Sequence, residues 1–103
     1  MSWQRISPVD AAVLIAERDP AIVDVRDVAS HAAAHIPDAV FLDNQSVRDF
    51  VEDTPKNRPV LVYCYHGHSS QSAAAWLAAQ GFAEVYSLDG GFEVWKLAHP
   101  VAR

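Results

Sequence analysis

One side chain in this sequence is a sulfur nucleophile: Cys64, the single cysteine. The thiolate attacks and the thiol does not, and at an ordinary pKa of about 8.5 only ~3% is ionised at pH 7. Nucleophilic chemistry at this position therefore needs local help. The residues that follow, Tyr65, His66, Gly67, His68 and Ser69, offer it as a short glycine-containing loop leading into a helix. Backbone N–H groups of such a loop converge on one point, and the helix start adds partial positive charge there. That environment lowers a thiol pKa, and a shift of about two units makes the thiolate the majority form. A competing reading makes Cys64 a buried core residue, since free cysteine is among the most buried residue types. Its place at a strand end before this loop favours the reactive reading. A lone cysteine also excludes an internal disulfide, a multi-thiolate metal site and a two-cysteine redox cycle. Any sulfur chemistry here finishes on a second molecule.

Other groups near Cys64 leave alternatives open. Ser69 either offers its hydroxyl near the sulfur or caps the following helix. His66 and His68, of the one side-chain type whose charge changes near neutrality, either supply part-time positive charge or face solvent. Cys64, His66 and His68 are alternate residues, and His31 and His35 stand one helical turn apart. Such spacings suit metal ligands, but alternate residues after a strand need not converge. No metal and no cofactor is assigned. Trp3, Trp76 and Trp95 raise the possibility of a binding surface, and Trp76 and Trp95 are expected instead to pack.

The elements that must position the thiol follow from the apolar pattern. Ser7, Pro8 and Asp10 mark a helix start, with Val9, Ala12, Val13 and Ala16 on one face and a stop at Asp19-Pro20. Strands are expected over 21–25, 39–42, 60–64 and 84–88, and 60–64 is the plainest, bounded by Pro59 and Gly67. Helices are expected over 28–35, stopped by Ile36-Pro37, from a cap at Asn44 to residue 52, over 69–80 closed by Gly81, and over 92–99. Strands without polar alternation, separated by helices, give a mainly parallel sheet covered on both faces. Ligands of such sheets sit at the carboxyl ends of the strands, where Cys64 falls.

The 103 residues fit one α/β domain over residues 1–103. Eight Lys and Arg against 13 Asp and Glu give a net charge of −5, which argues against nucleic-acid binding. Apolar runs at 60–65 and 73–79 are too short to span a bilayer. With no apolar leader after Met1 and a free thiol, a cytoplasmic location is expected.

Four segments in order carry a resemblance. Cys64-Tyr65-His66-Gly67-His68-Ser69-Ser70 resembles the active-site loop of single-domain rhodaneses, the small thiosulfate sulfurtransferases of the GlpE type. Asp24-Val25-Arg26 is similar to that family's Asp-x-Arg, His35-Ile36-Pro37 to its His-Ile-Pro turn, and Asp89-Gly90-Gly91-Phe92-Glu93-Val94-Trp95 to its Asp-Gly-Gly-x-x-x-Trp segment. The resemblance implies a rhodanese-like domain with a mainly parallel sheet of about five strands and helices on both faces. It implies that Cys64 takes the outer sulfur of thiosulfate as a persulfide and releases sulfite. Cyanide, a small thiol or a dithiol protein such as thioredoxin then accepts the sulfur. Residues 65–69 would bind substrate, and Asp24, Arg26, Asp89, Gly90 and Gly91 would be structural. The loop lacks the Arg or Lys that many rhodanese loops carry, and Gln71 stands where a related enzyme places lysine, which implies a high Michaelis constant. Ala34 and Asp38 stand where glycines are common. Phosphatases that share the fold need an Arg six residues after the cysteine, and Ser70 occupies that position. A non-catalytic binding module of the same fold is the alternative.

Overall fold

The apolar run at 60–63 becomes the middle of the sheet in the computed structural model, which describes residues 2–103. This strand, β4 (Val60–Tyr63), is buried at every residue. It lies between β2 (Ala21–Asp24) and β5 (Val85–Leu88), and β3 (Val40–Phe41) and β1 (Gln4–Ile6) form the two edges. All four pairings are parallel, in the order β1-β5-β4-β2-β3. Val23, Val60, Val62 and Val85 point to one face, under α3 (Val47–Asp53) and α4 (Ser69–Ala79). Ile22, Leu61, Tyr63 and Leu88 point to the other, under α1 (Pro8–Arg18) and α5 (Gly91–Trp95). The expected parallel sheet with helices on both faces is present.

Several local expectations are corrected. β1 has no strand signature in sequence, because Gln4 and Arg5 are exposed, and its pairing with β5 across most of the chain creates it. Helix α1 starts as expected, with the Ser7 hydroxyl accepting from the Asp10 amide at 3.1 Å. Its buried face is different: Ala11 and Leu14 are buried, whereas Val9, Val13 and Ala16 are exposed. Turning Leu14 and Ile15 inward hides more apolar area than the smaller alternative face. Helix α2 (Val28–Ala33) stops early because Ala34 is extended and His35 forms a bridge with Ala102. Asp43, not Asn44, organises the start of α3, accepting from the amides of Gln45 and Ser46 at 2.9 Å. Helix α5 ends at Trp95 and continues as turns. Strand β4 ends at Tyr63, so Cys64 is the first loop residue. Asp38, at a position where glycine is common, takes a left-handed backbone at φ 70°, which Asp tolerates better than most residues. Trp95 is buried and its indole donates to the Pro100 carbonyl at 2.9 Å. Trp76, expected to pack, is 46% exposed and walls a groove of about 470 Å³ with Phe41, Leu42 and Val47.

At the carboxyl end of β2 lies a buried ion pair. Arg26 Nη2 stands 2.6 Å from Asp24 Oδ2, with side-chain exposures of 3% and 0%. The Arg26 amide also donates to Asp24 Oδ1, at 2.9 Å, and Tyr63 donates its hydroxyl to Oδ2 at 2.8 Å. Burial, reinforced by the Asp24 charge, pushes the Tyr63 phenol pKa up, so Tyr63 remains a donor. Arg26 further donates to the Ala34 carbonyl at 2.7 Å, and its guanidinium lies 4.3 Å from the centre of the Phe92 ring. One cation thus ties β2, the end of α2 and α5 together. Removing one partner of such a pair leaves an uncompensated buried charge. Asp24→Ala should therefore cost about 3–5 kcal/mol in urea unfolding, and a cost below about 1 kcal/mol would contradict the role assigned to the pair.

Candidate active site

Cys64 Sγ sits where the end of β4 meets the start of α4, and Cys64 is only 2% exposed. Two amides donate to the sulfur: Gly67 N–H at 3.2 Å and Ser70 N–H at 3.3 Å. The Ser70 hydroxyl is a third partner at 3.3 Å. Burial pushes the thiol pKa up, since it removes the charged form from water. The hydroxyls of Ser70 and Ser69 and the amides of Ser70 and Gly67 outweigh that penalty and bring it down to about 7. Roughly half of the thiol is thus ionised at neutral pH.

The loop is shaped from behind. Phe92 N–H donates to the Cys64 carbonyl at 2.8 Å, and Glu93 N–H to the Tyr65 carbonyl at 3.1 Å. The Gln71 side chain donates to the Gly67 carbonyl at 2.8 Å. With those carbonyls held outward, N–H groups are left for the concave side. Among the described residues, the amides of Tyr65, His66, His68 and Ser69 have no protein partner. The approach of α5 to the loop requires glycine. A Cβ on Gly91, whose φ is +61°, would lie 2.5 Å from the Tyr65 carbonyl and 2.6 Å from that of Cys64. A Cβ on Gly67, at φ +90°, would lie 2.9 Å from the Gly90 nitrogen. The glycine pair after β5 is therefore where the last helix docks onto the cysteine loop.

Residues singled out in the sequence take distinct places. Ser69 is the first residue of α4 and makes no cap bond, and its hydroxyl favours the Cys64 thiolate. His66 and His68 are exposed on the outer side of the loop. Tyr65 reaches sideways: its hydroxyl donates to the Asp27 carboxylate and shares a 2.6 Å hydrogen bond with Ser30 at the start of α2. Asp89 joins β1 through Arg5, at 2.7 Å. His31 and His35 stack with ring centres 4.0 Å apart, and their Nε2 and Nδ1 meet the carbonyls of Ala39 and His31 respectively. Among the described residues no three His, Cys, Asp or Glu side chains converge as a metal site. Sequence reading missed Ser70 as a sulfur partner and missed Ser87 behind it. The available signal was a serine inside the apolar strand Val85–Leu88.

Comparison with known proteins agrees with this geometry. Residues 7–98 match the rhodanese-like domain family. A Pseudomonas syringae protein named thiosulfate sulfurtransferase GlpE is 50% identical over 98 residues, covering 95% of this chain and 92% of the relative. A Coxiella burnetii protein of the same name is 49% identical over 102 residues, covering 99% and 95%. Among solved structures, a rhodanese-like domain protein from Staphylococcus aureus superposes with a TM-score of 0.75 at 26% identity, covering 92% of this chain and 91% of that one. A rhodanese-related protein from Thermoplasma volcanium shares the fold at TM-score 0.80, 22% identity, and 96% and 97% coverage.

Two outcomes follow from the loop. Because the folded thiol pKa is depressed to about 7, alkylation of Cys64 by iodoacetamide should fall about tenfold per unit below that pH and level off above it. A midpoint at or above 9 would remove the donor ring from the account. Gly91→Ala combines a strained φ with a backbone clash, so it should lower stability by more than about 2 kcal/mol in thermal unfolding.

Proposed function

This chain belongs to the rhodanese-like domain family, and from that membership we propose that it is a thiosulfate sulfurtransferase working through a persulfide on Cys64. The observation that carries the reading is the set of neutral donors around Cys64 Sγ, the amides of Gly67 and Ser70 and the Ser70 hydroxyl. In the first step the Cys64 thiolate attacks the outer sulfur of thiosulfate. A new S–S bond forms, the old one breaks, and sulfite leaves with the electron pair. In the second step a nucleophile attacks the terminal sulfur. Cyanide would give thiocyanate and return Cys64 as thiolate, and a thiol would give its own persulfide. A dithiol protein such as thioredoxin would release the sulfur as sulfide while closing a disulfide.

Both thiosulfate and the persulfide are anions, and amides fixed beside a helix start stabilise anions without moving. Residues 65–69 form that substrate loop in this reading, with Asp24, Arg26, Asp89, Gly90 and Gly91 as its supports. The loop contributes no lysine or arginine, and Arg26 is committed to Asp24. Thiosulfate binding is therefore weak, with a Michaelis constant above about 1 mM. Chemistry on phosphate esters is disfavoured, because Ser70 fills the position of the phosphate-gripping arginine and is wholly buried. A lone free thiol suits a reducing compartment such as the cytoplasm. Among the described residues, no helix is long and apolar enough to cross a membrane. A binding module would not need a complete donor ring around an intact cysteine.

Intact-mass spectrometry after incubation with thiosulfate tests the proposal. The wild-type chain should gain one sulfur atom, cyanide should remove it as thiocyanate, and Cys64→Ser should gain none. No gain with rapid alkylation of Cys64 would point to a different sulfur donor. No gain and no alkylation would favour the binding module.

A further inference from the structure

Three polar residues are buried in the described chain: Asp24, Ser70 and Ser87. Asp24 is explained by Arg26, and Ser70 by the sulfur. Ser87 is 1% exposed in the middle of β5, between Tyr86 and Leu88, where a parallel sheet normally places an aliphatic residue. Its side chain points to the face covered by α4, as that of Val85 does. There its hydroxyl stands 2.8 Å from the Ser70 hydroxyl, and Ser70 Oγ stands 3.3 Å from Cys64 Sγ. The three atoms form a line from strand β5 through helix α4 to the sulfur.

Resting on the reading of Cys64 as a nucleophile, we propose that Ser87 is a positioning residue that aims the Ser70 hydroxyl at Cys64 Sγ. Each serine carries one hydroxyl hydrogen. Among the described residues Ser87 Oγ has one partner, Ser70 Oγ. A buried hydroxyl keeps a hydrogen bond where it can, so the Ser87 hydrogen goes to Ser70 Oγ. The Cys64 thiol donates to Ser70 Oγ, and once Cys64 is a thiolate with no hydrogen to give, the hydrogen of Ser70 is directed to the sulfur. Without Ser87, the Ser70 hydroxyl has no partner that fixes its hydrogen toward the sulfur and is free to rotate away from it. The thiolate would then lose its hydroxyl donor and keep the amides. The groups within hydrogen-bond distance of Sγ are neutral: the amides of Gly67 and Ser70 and the hydroxyl of Ser70. Of the titratable neighbours, His66 and His68 lie on the exposed side of the loop, and Glu93 of α5 pairs with Lys96 at 2.8 Å. The effect of Ser87 on the thiolate therefore passes through hydrogen-bond direction and not through charge.

The test is the pH midpoint of Cys64 alkylation in the full chain. Ser87→Ala should raise it by roughly half a unit to one unit, the worth of one neutral hydrogen bond. Ser87→Thr keeps the hydroxyl and should restore the wild-type midpoint, whereas Ser87→Val, of the same volume, should not. This Thr and Val pair also gives the comparison if Ser87→Ala folds poorly. In a Ser70→Ala background, Ser87→Ala should add nothing, because its route to the sulfur is gone. An unchanged midpoint in Ser87→Ala, an equal shift in Thr and Val, or a full additional shift without Ser70 would each overturn the proposal. The wild-type mass gain with thiosulfate is read separately. Its absence would sink the transfer reaction and leave the titration result standing on its own.

Discussion

The contact between Arg26 and Asp24 is the constraint around which this end of the molecule is organised. A guanidinium taken almost wholly out of water must have its donors occupied, and each obligation fixes a neighbour. The carboxylate of Asp24 is held at the end of β2, where Tyr63 of the next strand also reaches it. The carbonyl of Ala34 is drawn in, which stops α2 and turns the chain toward Ile36. The face of the guanidinium is covered by Phe92, whose amide supports the Cys64 carbonyl. The ion pair does not touch the sulfur. It sets the place of the helix that shapes the sulfur's loop.

Around the sulfur itself the logic differs. Among the described residues no charged side chain faces Sγ, and the depression of its pKa comes from amides and hydroxyls against the opposing pull of burial. Fixed dipoles of this kind do not reorganise when charge arrives, so they stabilise negative charge on the sulfur or on a small anion beside it. They are also insensitive to salt compared with a surface cation. The cost is selectivity. A ring of amides recognises negative charge and small size, and little else near the sulfur adds discrimination.

Much of this was legible in the sequence where the signal was local. Strand β4 and helix α4 stood out because a long apolar run and a long alanine-rich segment meet at a glycine loop. That junction alone pointed to Cys64 as the candidate nucleophile. The start of α1 was readable from Ser7 and Pro8, yet its inward face was not, since small apolar residues lie on more than one side of the helix. Strand β1 was hidden because its residues are polar and its partner lies 82 positions away, Gln4 against Tyr86. Ser87 was hidden for the same reason: nothing near it in sequence names Ser70 as its partner. The role of Gly91 depends on a carbonyl contributed by another element. Local pattern gave elements and a candidate nucleophile, and the groups that support its loop came from contacts between distant segments.

The strand order has a consequence for how the chain is made. Strands β2, β3 and β4 are near one another in sequence and can pair as soon as they leave the ribosome. The edge strand β1 precedes the other described strands in the chain, yet its sheet neighbour β5 follows them all. Until then its backbone groups wait unpaired, and pairing them requires closure of a long loop. The docking helix α5 follows β5 in the chain, so the cysteine loop acquires its backing only after both have been made. A chain that lacks α5 therefore carries the thiol and its donors Gly67 and Ser70 without the amides of Phe92 and Glu93 that hold their loop in shape, and the donor geometry comes with the docking of that helix.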